Sequence, residues 1–349
     1  MCRWLAAQGY RVSLVTWDEG QVDGEEIDGV RVYRMCRRDA GVRGLRFVHP
    51  RWTSLWRALS RADADLYYYN CGDMGLGQVA AWCRRHGRKC IYSVASNPDC
   101  EPNLPVLKPK RERILYRYGL RHVHQIIVQT KVQQELLREG FGLASVILPM
   151  PCRVPDDVGG PAGVTDPMPS RRVLWVGRFS REKRLEWLLD LAEQCAEFSF
   201  DVVGHANTES EYSAELVERA AHIDNVQLHG RLPWESVVGF YRSAFALCCT
   251  SAYEGFPNTF LEAWSHGVPV VSTFDPDDRI RSSRLGVVAD DVAGLMAGLR
   301  ELFMDPQRWK EMSSNARSYF EANHTFQSVM PRFAQLFHSV WRNAKADLH

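Results

Sequence analysis

Short apolar runs alternate with amphipathic stretches along almost the whole chain. Runs rich in β-branched and aromatic residues predict strands at 11–16, 30–33, 66–69, 89–94, 125–129 and 145–148. Between them, apolar positions recur at helical spacing, which predicts helices at 2–8, 52–62, 77–85, 111–120 and 131–139. A stretch dense in Pro, Gly and Asp, residues 156–170, then interrupts the pattern and reads as a linker. The alternation resumes at once. Strands are expected at 172–176, 198–203, 226–228, 245–249, 268–272 and 286–288, and helices at 185–196, 209–221, 234–242, 258–266, 292–303 and 307–321. A last amphipathic helix, 328–343, carries Met330, Phe333, Phe337, Val340 and Trp341 on one face, which is a packing face in its simplest reading.

Strands alternating with helices predict parallel sheets, so the fold class is α/β. The chain divides into a Rossmann-like domain over 1–155, the linker over 156–170, a second Rossmann-like domain over 171–324 and a terminal helix over 325–349. The first half opens on a helix, whereas a doubly wound domain starts on a strand with a Gly-rich loop. That first strand and loop are therefore expected to be missing from the first domain.

Composition adds a division of charge. Residues 1–155 hold 24 Lys and Arg against 15 Asp and Glu, while residues 156–349 hold 19 against 27. A basic N-terminal half suits peripheral contact with an anionic membrane surface or a phosphate-bearing acceptor, although a scattered Arg-rich surface would look the same. No apolar run approaches the length of a membrane span, and residues 1–5 lead into a helix pattern rather than a signal peptide. Ten cysteines include no C-x-x-C pair, and Cys90, Cys248 and Cys249 lie inside strand-like runs. This fits reduced, buried thiols in a cytoplasmic protein and gives no support to a metal site or a disulfide scaffold.

Two clusters carry the chemistry. The first, Val176-Gly177-Arg178-Phe179-Ser180-Arg181-Glu182-Lys183-Arg184, follows the first strand of the second domain. Gly177 permits a sharp turn, and Arg178 and Lys183 flank a loop where a forked donor and a mobile point charge suit a diphosphate. Alone, it reads more readily as an ordinary basic loop, since such loops are common before helices. The second, Tyr253-Glu254-Gly255-Phe256-Pro257-Asn258-Thr259-Phe260-Leu261-Glu262, follows another strand and opens a helix. A carboxylate past a strand's carboxyl end sits where open α/β sheets bind ligands, and the exposed N–H groups of a helix start accept an anion. Glu262 lies one turn into that helix, placed to accept the hydroxyls of a ribose. The alternative is a carboxylate favoured at a helix start by the macrodipole. His122, His124, His205 and His229 are scattered and read as structural, and Trp52, Trp56 and Trp82 as helix-packing residues.

Taken in order, these segments resemble the GT-B fold retaining glycosyltransferases of the family 4, or group 1, type. The resemblance rests on G-R-F-S-x-x-K-R, on N-V-Q-L-H-G-R-L, on Phe240-Tyr241-Arg242-Ser243-Ala244, and on E-G-F-P-N-T-F-L-E-A-W-S-H-G-V-P-V-V with its E-x7-E spacing. It implies two Rossmann-like domains with an interdomain cleft. It also implies transfer of a hexose from a nucleotide diphosphate sugar to a saccharide or lipid-linked acceptor, with no metal and no nucleic acid involved. Arg178 and Lys183, after Gly177, would hold the diphosphate, and Glu262 the ribose. Glu254 would contact the donor sugar at the reacting centre. The backbone of Gly255, Phe256, Pro257, Asn258 and Thr259 would touch sugar and phosphate, and Arg231 and Leu232 would border the base. Departures from the family pattern are the absent His after the 89–94 strand, where Asn97 and Asp99 stand as candidates on the acceptor side, and the absent Gly-rich loop. They keep two alternatives open: a catalytically impaired nucleotide-sugar-binding module, or another GT-B activity such as an epimerase.

Overall fold

The computed structural model describes residues 1–153, 171–205 and 211–346, with side chains as far as residue 342. The expected linker at 156–170 lies outside the described residues. Contacts divide the chain into two compact units: Met1–Pro151 together with Phe326–His349, and Cys152–Thr325.

The first unit contains β1 (Val12–Thr16), β2 (Glu25–Ile27), β3 (Val30–Arg34), β4 (Leu66–Tyr69), β5 (Lys89–Ser93), β6 (Gln125–Val128) and β7 (Val146–Ile147). These strands form two sheets, of order β1-β3-β2 and β4-β5-β6-β7. All pairings are parallel except that of β2 with β3. Strand β2 escapes the sequence pattern because Glu25-Glu26-Ile27 is wholly exposed and buries no alternating face. Central strand β5 shows the opposite extreme. Cys90, Ile91 and Tyr92 are fully buried, as expected of a parallel strand covered on both faces. Although β1 and β4 belong to different sheets, they share cores. Val15 packs with Tyr67 and Trp82 on one side, and Val12 with Leu66 and Ile91 on the other.

The helix Phe326–Ala346 belongs to this unit. Its Val329, Met330, Phe333 and Val340 bury against Leu5, Ile91, Ile127 and Leu148. The apolar stripe along the terminal helix is thus a packing face. No helix among the described residues is long and apolar enough to cross a membrane.

The second unit is a single six-stranded parallel sheet built from β8 (Arg172–Arg178), β9 (Ser199–His205), β10 (Val226–Gly230), β11 (Ala246–Cys249), β12 (Val270–Ser272) and β13 (Gly286–Val288). Its order is β10-β9-β8-β11-β12-β13. From β8 the chain winds outward through β9 and β10. It then returns to pair β11 against the other edge of β8 and winds away through β12 and β13. The order therefore reverses between β8 and β11. A doubly wound sheet opens a crevice at that point, outside the carboxyl ends of the two strands. Val173, Trp175, Leu188, Leu189, Phe198 and Phe245 fill the core beneath it.

Close backbone approach at β8 and β9 requires glycine. Gly177 and Gly204 are register partners, and a Cβ on Gly204 would lie 1.8 Å from the Gly177 carbonyl oxygen. Strand β8 runs two residues past the expected end at Val176, because this glycine pair lets the ladder continue to Arg178 and His205.

Candidate active site

The site grows from the carboxyl ends of β8 and β11. After Arg178 the chain makes a single 3-10 turn, Arg181–Lys183, and then passes through Arg184 in the left-handed region (φ +47°). An arginine holds that conformation only when its surroundings over-determine it. The Arg184 guanidinium donates to the carbonyls of Thr250 (2.6 Å) and Ser251 (3.0 Å) and to the Thr273 hydroxyl (2.9 Å). It also stacks on Trp187, 3.9 Å from the ring centroid. In return, the Thr250 hydroxyl donates to the Lys183 carbonyl (2.7 Å), and the Ala252 N–H donates to the Glu182 carbonyl (2.8 Å). These bonds stitch the loop after β8 to the loop after β11.

Stitching sets Lys183 against Glu254. The Lys183 ammonium donates to Glu254 Oε1, and the same oxygen accepts from the Ser251 hydroxyl (2.7 Å). The pair is largely shielded, with side-chain exposures of 22% for Lys183 and 15% for Glu254. A shielded charge left without its partner is strongly unfavourable, so each stabilises the other in place. Both line a small cavity with Ser251, Thr259, Val176 and Cys249. Thr259 belongs to the first turn of the helix Asn258–Ser265, whose N-terminus has no side-chain cap. The Phe260 N–H turns back to the Pro257 carbonyl (3.1 Å), and the N–H groups of Asn258 and Thr259 head the helix as donors without a side-chain cap. A cation, a carboxylate and a helix N-terminus around one cavity at the switch point suit a ligand bearing both phosphate and hydroxyl groups.

The remaining expected site residues are placed differently. The Arg178 guanidinium is 76% exposed and donates to Glu182 (3.1 Å), which also accepts from Ser180 (2.6 Å). It does not line the Lys183–Glu254 cavity. Glu262 does not line it either. Its Oε2 accepts from the Tyr241 hydroxyl (2.6 Å), and the Trp234 side chain donates to the same carboxylate. Burial raises the Glu262 pKa, and these two donors oppose the shift. The same carboxylate and burial hold the Tyr241 phenol well above its ordinary value.

Gly255 and Pro257 are buried within the turn, and Asn258 is exposed at the helix start. Phe256 packs on Trp264 and His324, so its ring serves the turn's own rigidity. Arg231 is exposed after β10, following Gly230 in the left-handed region, with Leu232 half-buried beside it. In the first unit, Asp99 is a cap rather than a free carboxylate. It accepts from the Ser96 N–H (2.9 Å) and hydroxyl (3.4 Å), and burial raises its pKa. Asn97 starts the same short 3-10 turn.

Sequence reasoning missed the supports: Arg184, Thr250, Ser251, Trp234 and Tyr241. Arg184 stood next to Lys183 in a basic stretch, and nothing local distinguishes a stitching arginine from a solvated one. Tyr241 stood in a helix motif whose partner lies 21 residues further on and is not marked by any local pattern.

Residues 1–153 match the family model described as glycosyl transferase 4-like domain, and residues 170–305 match that described as glycosyl transferases group 1. Among curated proteins, the lipopolysaccharide 1,6-galactosyltransferase of Salmonella typhimurium is 36% identical over 107 residues, 29% of each chain. That of Escherichia coli is 27% identical over 194 residues, 52% of this chain and 53% of its own. The matches therefore span about half or less of these relatives.

Among solved structures, sucrose-phosphate synthase from Thermosynechococcus elongatus superposes with a TM-score of 0.79 at 18% identity, covering 98% of this chain and 92% of its own. Anabaena HepE in complex with UDP and glucose superposes with a TM-score of 0.74 at 17% identity, covering 97% and 95%. With family models matched over both halves and the fold shared end to end, the chain belongs to the group 1 glycosyltransferases and has the GT-B fold.

Proposed function

We propose that this protein is a retaining glycosyltransferase of polysaccharide or lipopolysaccharide assembly. It moves a hexose from a nucleotide diphosphate sugar to a saccharide or lipid-linked acceptor. The observation that carries the reading is the Lys183–Glu254 pair, set beside an uncapped helix N-terminus at the switch point of the six-stranded sheet. The names of the lipopolysaccharide galactosyltransferases support the product class, and the HepE complex supports UDP-sugars as the first donors to try.

Breaking the bond between sugar and diphosphate leaves positive charge on the anomeric carbon and an additional negative charge on the leaving oxygen. Lys183 and the N–H groups opening the helix Asn258–Ser265 meet the departing diphosphate, and Arg178 swings from Glu182 to join them. The helix N–H groups are fixed before reaction and need no reorganisation as charge develops. When the diphosphate draws Lys183 away, Glu254 is released to accept the sugar's hydroxyls and to offset the developing cation. Glu262, held by Tyr241 and Trp234, accepts the ribose hydroxyls. Arg231 and Leu232 border the base, and the turn 255–259 presents its backbone to the sugar. Retention follows from attack on the face that the leaving group vacates.

The test is turnover of a UDP-hexose panel by the wild type, Lys183→Ala and Glu254→Gln, with product anomers read by NMR. Loss of one preorganised charge partner lowers kcat on the order of 10²–10³-fold. Unchanged turnover in both variants, or inverted product, contradicts the reading.

A further inference from the structure

A second charged site lies in the first unit. Residues 37–51 and 108–117 hold ten Lys and Arg against two carboxylates, Asp39 and Glu112. The fold gathers four of these cations, Arg43, Arg46, Arg51 and Arg111, around an open pocket of about 170 Å³ that Phe47 and Met74 also line. That volume is smaller than a drug-sized site, roughly 300–1,000 Å³, and suits a group the size of a phosphate. Met74 precedes the helix that follows β4, so the pocket borders the carboxyl side of this unit's sheet, where α/β sheets take their ligands.

The arginines are not neutralised locally. Among the described residues, no carboxylate lies within 4 Å of any of the four guanidinium groups, although Glu112 contributes to the lining. Arg51 spends one N–H on the Arg38 carbonyl (2.6 Å), while its Nε is buried without a partner. A desolvated N–H of a charged group left unpaired is unfavourable until an acceptor arrives. Arg111 lies over the Phe47 ring at 4.9 Å, a cation–π contact that holds its guanidinium beside a second lining residue of the pocket. Four like charges drawn together repel one another, and an anion in their midst reverses the sign of that interaction. Guanidinium forks match phosphate oxygens in pairs, so the geometry selects a phosphate group over a simple halide. In the same two segments Val42, Leu45, Val48 and Ile114 are each more than half exposed.

We infer that this pocket binds a phosphate ester, either the headgroup of an anionic lipid or a phosphorylated saccharide, on the acceptor-side unit of the enzyme. The inference stands on the first unit alone and does not depend on the donor site.

Calorimetric titration of the full chain with inorganic pyrophosphate tests it, using Lys183→Ala to silence the donor cavity. Binding persists in Lys183→Ala, and adding Arg43→Gln and Arg46→Gln weakens it at least tenfold with an unchanged melting temperature. Flotation with phosphatidylglycerol vesicles at matched ionic strength identifies the source. Vesicle binding that is lost in the arginine variant assigns the site to a lipid headgroup. Pyrophosphate binding without vesicle binding assigns it to a soluble phosphate ester. The inference is overturned if Lys183→Ala abolishes pyrophosphate binding, or if the arginine changes leave both ligands bound as tightly as before. A wild type that binds pyrophosphate here but no nucleotide sugar would uphold the pocket and remove the donor reading.

Discussion

Glu262 shows how burial governs the ionisation of one residue. Its carboxylate is buried against Tyr241 and Trp234, and burial raises its pKa. The sign follows from linkage. The unfolded chain ionises this group at lower pH than the folded one. Rising pH therefore removes stability between the ordinary glutamate range and the raised folded value. Glu262→Gln keeps an acceptor for the Tyr241 hydroxyl and removes the charge. The variant is expected to melt at higher temperature than the wild type near neutral pH, with the gap closing as the pH falls toward the ordinary glutamate range. Thermal melts across pH check this, and a gap of constant size would contradict it. On the ribose role proposed for Glu262, the same change is expected to weaken nucleotide-sugar binding, since a ribose hydroxyl loses its charged acceptor. Both glutamates of the E-x7-E segment were legible in the sequence from spacing and from the helix start. Their separation into a Lys183-paired group and a Tyr241-paired group was not, because the partners come from loops and helices far away in sequence.

At the scale of elements, the six-stranded sheet was legible almost strand by strand, since parallel strands buried on both faces leave continuous apolar runs such as Ala246–Cys249. The misses have physical causes. Strand β2 buries nothing, and β8 extends past Val176 only because Gly177 meets Gly204. That contact gives a sharp prediction. Gly204→Ala drives a methyl group into the Gly177 carbonyl, and overpacking of this kind costs about 1–3 kcal/mol. Since β8 delivers the loop that carries Lys183, the variant also loses donor affinity beyond what its stability loss explains. Chemical denaturation and nucleotide titration read the two effects, and a variant as stable as the wild type would show that the strands part without penalty. In the first unit, the expected single doubly wound sheet is two sheets whose strands β1 and β4 share cores without pairing. Apolar patterning reports burial and not hydrogen-bond partners, so the sequence pattern cannot distinguish the two arrangements.

Across the whole molecule, each unit has its own core, and the charge is divided between them. The arginine pocket belongs to the first unit and the Lys183–Glu254 cavity to the second. A donor ligand should therefore stabilise the second unit by mass action, by about 2.7 kcal/mol at a hundred times its Kd. The most direct measurement of the central claim is hydrogen exchange with and without a saturating nucleotide diphosphate hexose, in the wild type and in Lys183→Ala. The account predicts ligand-dependent protection in the wild type over residues 177–184 and 250–265, reduced at least tenfold in apparent affinity in the variant. Protection absent from both segments with every nucleotide sugar, or identical in the two proteins, would contradict it.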